Sequence, residues 1–172
     1  ADRLHPRRVE DLEPAILLAG GEIADPEIEA FGTAVVDEGG GKETVAQIES
    51  EGGRATFVAV DLSRREDVID LFARATDVYG GVDIVHNNAG IVSGEPEWPD
   101  MTTDRIALMM AVNLGAVVYG TYCAVQAMAE RGGGVVINTA SIAAFETLGF
   151  GDLSVLVKVG VQFGLFGGAV LH

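Results

Sequence analysis

Short continuous apolar runs recur along this chain with helical segments between them, and that alternation restricts the fold more than any other feature. PAILLA (14–19), TAVVD (33–37), RATFVAVD (54–61), VDIVHN (82–87) and the strand inside GGVVINTAS (133–141) are short, and none alternates polar with apolar residues. They read as strands buried on both faces, which is the character of parallel sheets. DPEIEAFG (25–32) reads as a miniature helix, with Asp25 as N-cap, Pro26 in the first helical position and Gly32 at its stop. A loop and helix follow over 38–53, an amphipathic helix over 63–80, a long helix from about 103 to 130, and another helix from near 154. Parallel strands joined by right-handed helical crossovers predict an α/β fold: a doubly wound parallel sheet of five strands in the order 3-2-1-4-5, with helices on both faces.

With 172 residues, 48% of them apolar, the chain suits a single domain spanning 1–172. A formal net charge of -15 argues against nucleic acid and anionic membrane surfaces as partners, since both select basic patches. The lone Cys123 excludes an internal disulfide and any multi-cysteine metal site, so no metal is expected and a reducing cytoplasm fits. The opening ADRLHPRRVEDLEP has basic residues with no apolar core behind them, unlike a secretory signal. Two stretches are apolar enough to suggest a membrane, ALMMAVNLGAVVYGTYCAVQAMA and VLVKVGVQFGLFGGAVL. Asn113 and Gln126 in the first, and Lys158, Gln162 and the glycines in the second, favour buried helices of an α/β core.

Ligands of doubly wound sheets bind beyond the carboxyl ends of the strands. The residues predicted there are Gly20-Gly21, Asp37, Asp61, Asn87-Asn88-Ala89-Gly90 and Ser141. Each alone is ordinary turn chemistry. Asn113 alone reads equally as a satisfied polar group in a buried helix, and Asp37 as a strand-end residue.

Taken together, NNAG (87–90), DLS (61–63), VNLGAVV with Asn113, INTAS with Ser141, and Lys158 downstream resemble the short-chain dehydrogenases/reductases over about 33–165. The resemblance implies a Rossmann-like domain and hydride transfer between NAD(H) and a small alcohol or carbonyl substrate. It implies that Ser141 hydrogen-bonds the substrate oxygen, that Lys158 binds the nicotinamide ribose and lowers the pKa of the acid, and that Asn113 holds a water of the proton relay. Asp61 and Leu62 then flank the adenine, and Asn88, Ala89 and Gly90 line the cofactor. Gly20 and Gly21 are what remains of the phosphate loop. Asp37 accepts from the adenosine ribose, which favours NAD over NADP. A homo-oligomer through helices 103–130 and 154–170 is also implied.

The chain departs from the family pattern in three places. Ser154 stands where the family has its catalytic tyrosine, and an alkyl hydroxyl is far less acidic than a phenol whose pKa is near 10. The phosphate loop has two glycines where the family has three, and Glu22, Asp25 and Glu27 crowd the helix start. The substrate lid and last strands are expected to be missing beyond His172. A second expectation therefore stands beside the oxidoreductase: an inactive relic of the fold that serves as an oligomeric interaction or weak nucleotide-binding protein.

Overall fold

The computed structural model describes residues 15–19, 29–34, 38–92, 100–140 and 169–171. Its elements run β1 (Ala15–Ala19), β2 (Glu29–Ala34), α1 (Glu38–Ser50), β3 (Arg54–Ala59), α2 (Arg65–Tyr79), β4 (Ile84–Asn87), α3 (Thr103–Met110), a π-helical turn (Ala111–Gly115), α4 (Ala116–Ala129), β5 (Gly134–Asn138) and β6 (Ala169–Leu171).

Among the described residues six strands form one sheet in the order β3-β2-β1-β4-β5-β6. The first five are parallel in the order expected from the sequence, with β1 between β2 (Leu17 opposite Phe31) and β4 (Leu17 opposite Val85). This places the strand-order reversal between β1 and β4. Two expectations need correction. Residues 29–32 belong to strand β2 and not to a miniature helix, so the second strand begins four residues early; Asp37, expected at its end, lies outside the described residues. Pairing to β1 on one side and β3 on the other outweighs the local capping signal of Asp25 and Pro26. The sheet also gains a sixth strand, antiparallel to β5, with Gly134 opposite Leu171, where a helix was expected to reach 170. An antiparallel edge strand on a parallel sheet is a common arrangement.

The two faces of the sheet are legible in β3. Ala55 packs with Ile48 and Val45 of α1, and the ring of Phe57 fills the space that a Cβ on Gly41 of α1 would need. Thr56 and Val58 point the other way, Thr56 to the Tyr79 hydroxyl at 2.9 Å and Val58 into the main core. Side chains alternate across a strand, so α1 covers one face and α2 the other. That main core joins Val68, Leu71, Phe72 and Ala75 of α2 to Val85 of β4, Val136 of β5, and Ala116, Ala124 and Met128 of α4. The α2 residues recur at helical spacing, and Glu66 and Asp67 in its first turn complement the helix dipole.

The predicted long helix is observed as one continuous helix from Thr103 to Ala129, interrupted by the π turn. By length and hydropathy it could span a membrane, yet Met109, Val112, Val117, Ala124 and Met128 are buried within the protein. Its far end is pinned by Arg131, whose Nε and Nη2 each reach a carboxylate oxygen of the buried Asp83 at 3.2 Å, while Nη1 donates to the Gly80 carbonyl at 3.0 Å. At its middle Gly120 lets the helix approach β4 so closely that a Cβ there would collide with the Asn87 side chain.

Candidate functional site

The carboxyl ends of β4 and β5 carry a connected set of polar side chains. Asn87 Nδ2 donates to Asn138 Oδ1 at 2.8 Å and lies 3.3 Å from Thr121 Oγ1 of α4. Thr121 Oγ1 also donates to Asn138 Oδ1 at 3.4 Å. The Thr139 N–H donates to the Asn87 carbonyl, which carries the β4–β5 pairing one residue past the strands. On the other side of the sheet His86 Nε2 and Thr139 Oγ1 share a hydrogen bond of 2.8 Å. Burial holds the His86 pKa below its ordinary value, so the ring favours its neutral form. The strand end that leads toward Ser141 is thus tied on both faces.

The loop after β4 is held from the long helix. Asn113 is 2% exposed and lies in the π turn, where the Ala116 N–H bonds the Ala111 carbonyl five residues back. Its Oδ1 accepts the Ile91 N–H at 2.7 Å and its Nδ2 donates to the Ile91 carbonyl at 2.8 Å. One amide therefore satisfies both backbone groups of a residue that follows Asn88-Ala89-Gly90 directly. The bland reading of Asn113, a satisfied buried polar group, holds for its side chain, and π turns of this kind gather at functional sites. Arg105 adds a second tie by donating from Nη2 to the Val92 carbonyl. Thr102 Oγ1 accepts the Arg105 N–H at 3.2 Å and caps α3.

Past β3, Asp61 Oδ1 accepts from the Ser63 hydroxyl at 2.6 Å and from the Ser63 N–H at 2.9 Å. These two bonds, the hydroxyl first, hold the Asp61 carboxyl below its usual range. Asp61 folds its own turn, as the simple turn reading foresees. Leu62 is 6% exposed and its side chain belongs to the core, so only its backbone faces the sheet edge. Leu62, Ala89, Asn87, Val117 and Gly120 line a small cavity of about 30 Å³ behind this edge. Ala89 and exposed Gly90 are small enough to let a planar ligand approach the backbone at the site.

Of the residues singled out from the sequence, Asn113, Asp61, Leu62, Asn88, Ala89 and Gly90 lie at this edge, and Asn113 is joined to the 88–91 loop directly. Ser141, Ser154, Lys158, Gly20, Gly21 and Asp37 lie outside the described residues. Thr121, Asn138, His86 and Arg105 were not singled out. Asn138 sits inside the quoted INTAS and His86 inside VDIVHN, so a polar residue at the end of a buried strand was the available signal.

With the strand-order reversal, the loop after β4 and the Asn113 tie established, comparison with other proteins becomes informative. Residues 25–152 match the sequence profile of the short chain dehydrogenases, and the chain belongs to that family. It is 42% identical over 106 residues to 3beta-hydroxysteroid dehydrogenase 2 of Eggerthella lenta, covering 59% of this chain and 41% of that protein. It is 36% identical over 117 residues to an uncharacterized oxidoreductase of Thermotoga maritima, covering 66% of this chain and 44% of that one. The chain thus spans less than half the length of these curated relatives. In three dimensions it superposes on the NADPH-dependent 3-quinuclidinone reductase of Rhodotorula rubra with a TM-score of 0.78 at 18% identity, covering 88% of this chain and 61% of that one, a likeness of fold. A short chain dehydrogenase of Burkholderia cenocepacia in complex with NADP gives a TM-score of 0.71 at 26% identity, covering 80% of this chain and 55% of that one.

Proposed function

We propose that the chain is the nucleotide-binding domain of an NAD(H)-linked oxidoreductase that acts on a small alcohol or carbonyl compound. The observation that carries this reading is the double hydrogen bond from Asn113 to Ile91, which fixes the Asn88-Ala89-Gly90 backbone at the strand-order reversal. A bound nicotinamide supplies or accepts the hydride. On the protein's side, Leu62 offers its backbone to the adenine and Asp61 shapes the turn that presents it. Asn88, Ala89 and Gly90 line the nucleotide, and Asp37 favours a free ribose hydroxyl over a phosphate. Gly20 and Gly21 approach the pyrophosphate. Ser141 hydrogen-bonds the substrate oxygen, Lys158 binds the ribose, and Asn113 keeps a water of the proton relay near the π turn.

Homo-oligomers through the long helix fit the same reading, since Val118, Tyr119 and Tyr122 stand exposed on α4. A reducing cytoplasm suits its single cysteine. Calorimetric titration with NADH and NADPH tests the proposal: NADH should bind the more tightly of the two, and binding weakly because of Glu22, Asp25 and Glu27. Tight NADPH binding would contradict the assignment of Asp37.

Ser154 favours a second reading, in which the domain binds nucleotide without turning over substrate. General acid catalysis typically supplies about 10²–10⁴-fold, and a serine four residues before Lys158 in sequence cannot provide it. Assay of the purified chain with NADH and simple ketones separates the two readings.

A further inference from the structure

The backbone of two successive residues after β4 is gripped by side chains of a single helix. Asn113 takes the N–H and carbonyl of Ile91, and Arg105 takes the carbonyl of Val92. The two residues lie eight apart, about 12 Å of helical rise, and the long Arg105 side chain covers the difference. Thr102 caps the turn from which Arg105 projects. Among the described residues, Gly90 ahead of the segment is exposed, Ile91 is half-buried, and Val92 is 69% exposed although apolar, so packing does not fix its Val92 end. A charged donor on a backbone carbonyl is among the stronger hydrogen bonds available at such a place.

We propose that Arg105 is a positioning residue for the nucleotide site: its guanidinium on the Val92 carbonyl holds Ile91–Val92 in place and so keeps Asn88-Ala89-Gly90 in binding geometry. This rests on the nucleotide reading of the site, and the test keeps the two apart. In the full chain, Arg105→Met retains the aliphatic stem and removes every donor, while Arg105→Lys restores one charged donor. Amide hydrogen exchange at Ile91 reports the loop without any ligand, NADH titration reports the site, and the urea midpoint reports the fold. Arg105→Met should speed exchange at Ile91 by about tenfold, a modest share of a charge-assisted bond. It should weaken NADH binding by a similar factor and leave the urea midpoint within error. Arg105→Lys should recover most of both losses. If Arg105→Met does not fold, Arg105→Leu, which also carries no donor, gives the same reading.

Unchanged exchange at Ile91, or faster exchange that only follows a lowered urea midpoint, overturns the proposal. So does failure of Arg105→Lys to improve on Arg105→Met. If Ile91 responds as expected but the parent chain binds no NADH, the hold on the loop stands and the nucleotide reading falls.

Discussion

Asn113 shows how little of a side chain's task is visible in its letter. A buried amide inside an apolar helix announces that it must have partners, but the identity of Ile91 depends on the π turn and on where β4 ends. Replacement by leucine strands the Ile91 N–H and carbonyl together, so Asn113→Leu should lower stability by about 2–3 kcal/mol, read from urea unfolding. His86 gives a pH dependence with a definite sign. Its folded pKa is depressed by burial, so the stability it contributes is complete above the ordinary histidine value near 6.5 and is lost as pH falls below it. Urea midpoints measured on both sides of that value should fall toward acid, and His86→Val should flatten that part of the profile. At position 154 the prediction concerns rate. On the proposed reading, Ser154→Tyr restores the phenol that the family has at this position and should raise reductase turnover, whereas Ser154→Ala should leave the baseline unchanged. Substantial parent activity that Ser154→Ala abolishes would refute this.

Among elements, legibility followed the source of each element's stability. The apolar runs of β1, β3, β4 and β5 and the spacing of Val68, Leu71, Phe72 and Ala75 in α2 speak for themselves, because burial against neighbours is written into their composition. In β2, EAFGTA holds a glycine and a single β-branched residue, so its strand character comes from the two flanking strands and the local capping signals mislead. β6 depends in the same way on the edge of β5. Contacts between elements left the weakest trace. Gly120 reads as a flaw in a helix until Asn87 is seen against it. Gly120→Ala should push α4 from β4 and disturb the Asn87–Asn138 bond, at a cost of about 1–3 kcal/mol. Its urea midpoint should drop together with the slow exchange of the Thr139 amide; a neutral outcome would mean that the Asn87 rotamer yields freely. Asp83 is 2% exposed and its partner Arg131 is 32% exposed. Arg131→Met should therefore destabilise toward the lower end of the range for a broken buried pair, about 3 kcal/mol.

For the molecule as a whole, the net charge of -15 sets a background against which every local site works. Self-repulsion weakens the compact state and opposes a dinucleotide approaching from solution. Raising KCl to about 1 M shortens the screening length to about 3 Å and should raise the urea midpoint. A midpoint independent of salt would show that the charges are already balanced locally. The π turn also has a consequence at this scale. A helix that adds one residue to a turn changes phase by about 100°, so the segment before Ala111 and the segment after Gly115 face different neighbours. The later one serves the hydrophobic core through Ala116, Ala124 and Met128, and the earlier one serves the loop after β4 through Arg105. Loss of any one residue between 111 and 115 would leave an ordinary α-helix of good stability and turn Arg105 a quarter-turn away from Val92. The helix works as a geared shaft, and in it a one-residue deletion does more harm than most substitutions.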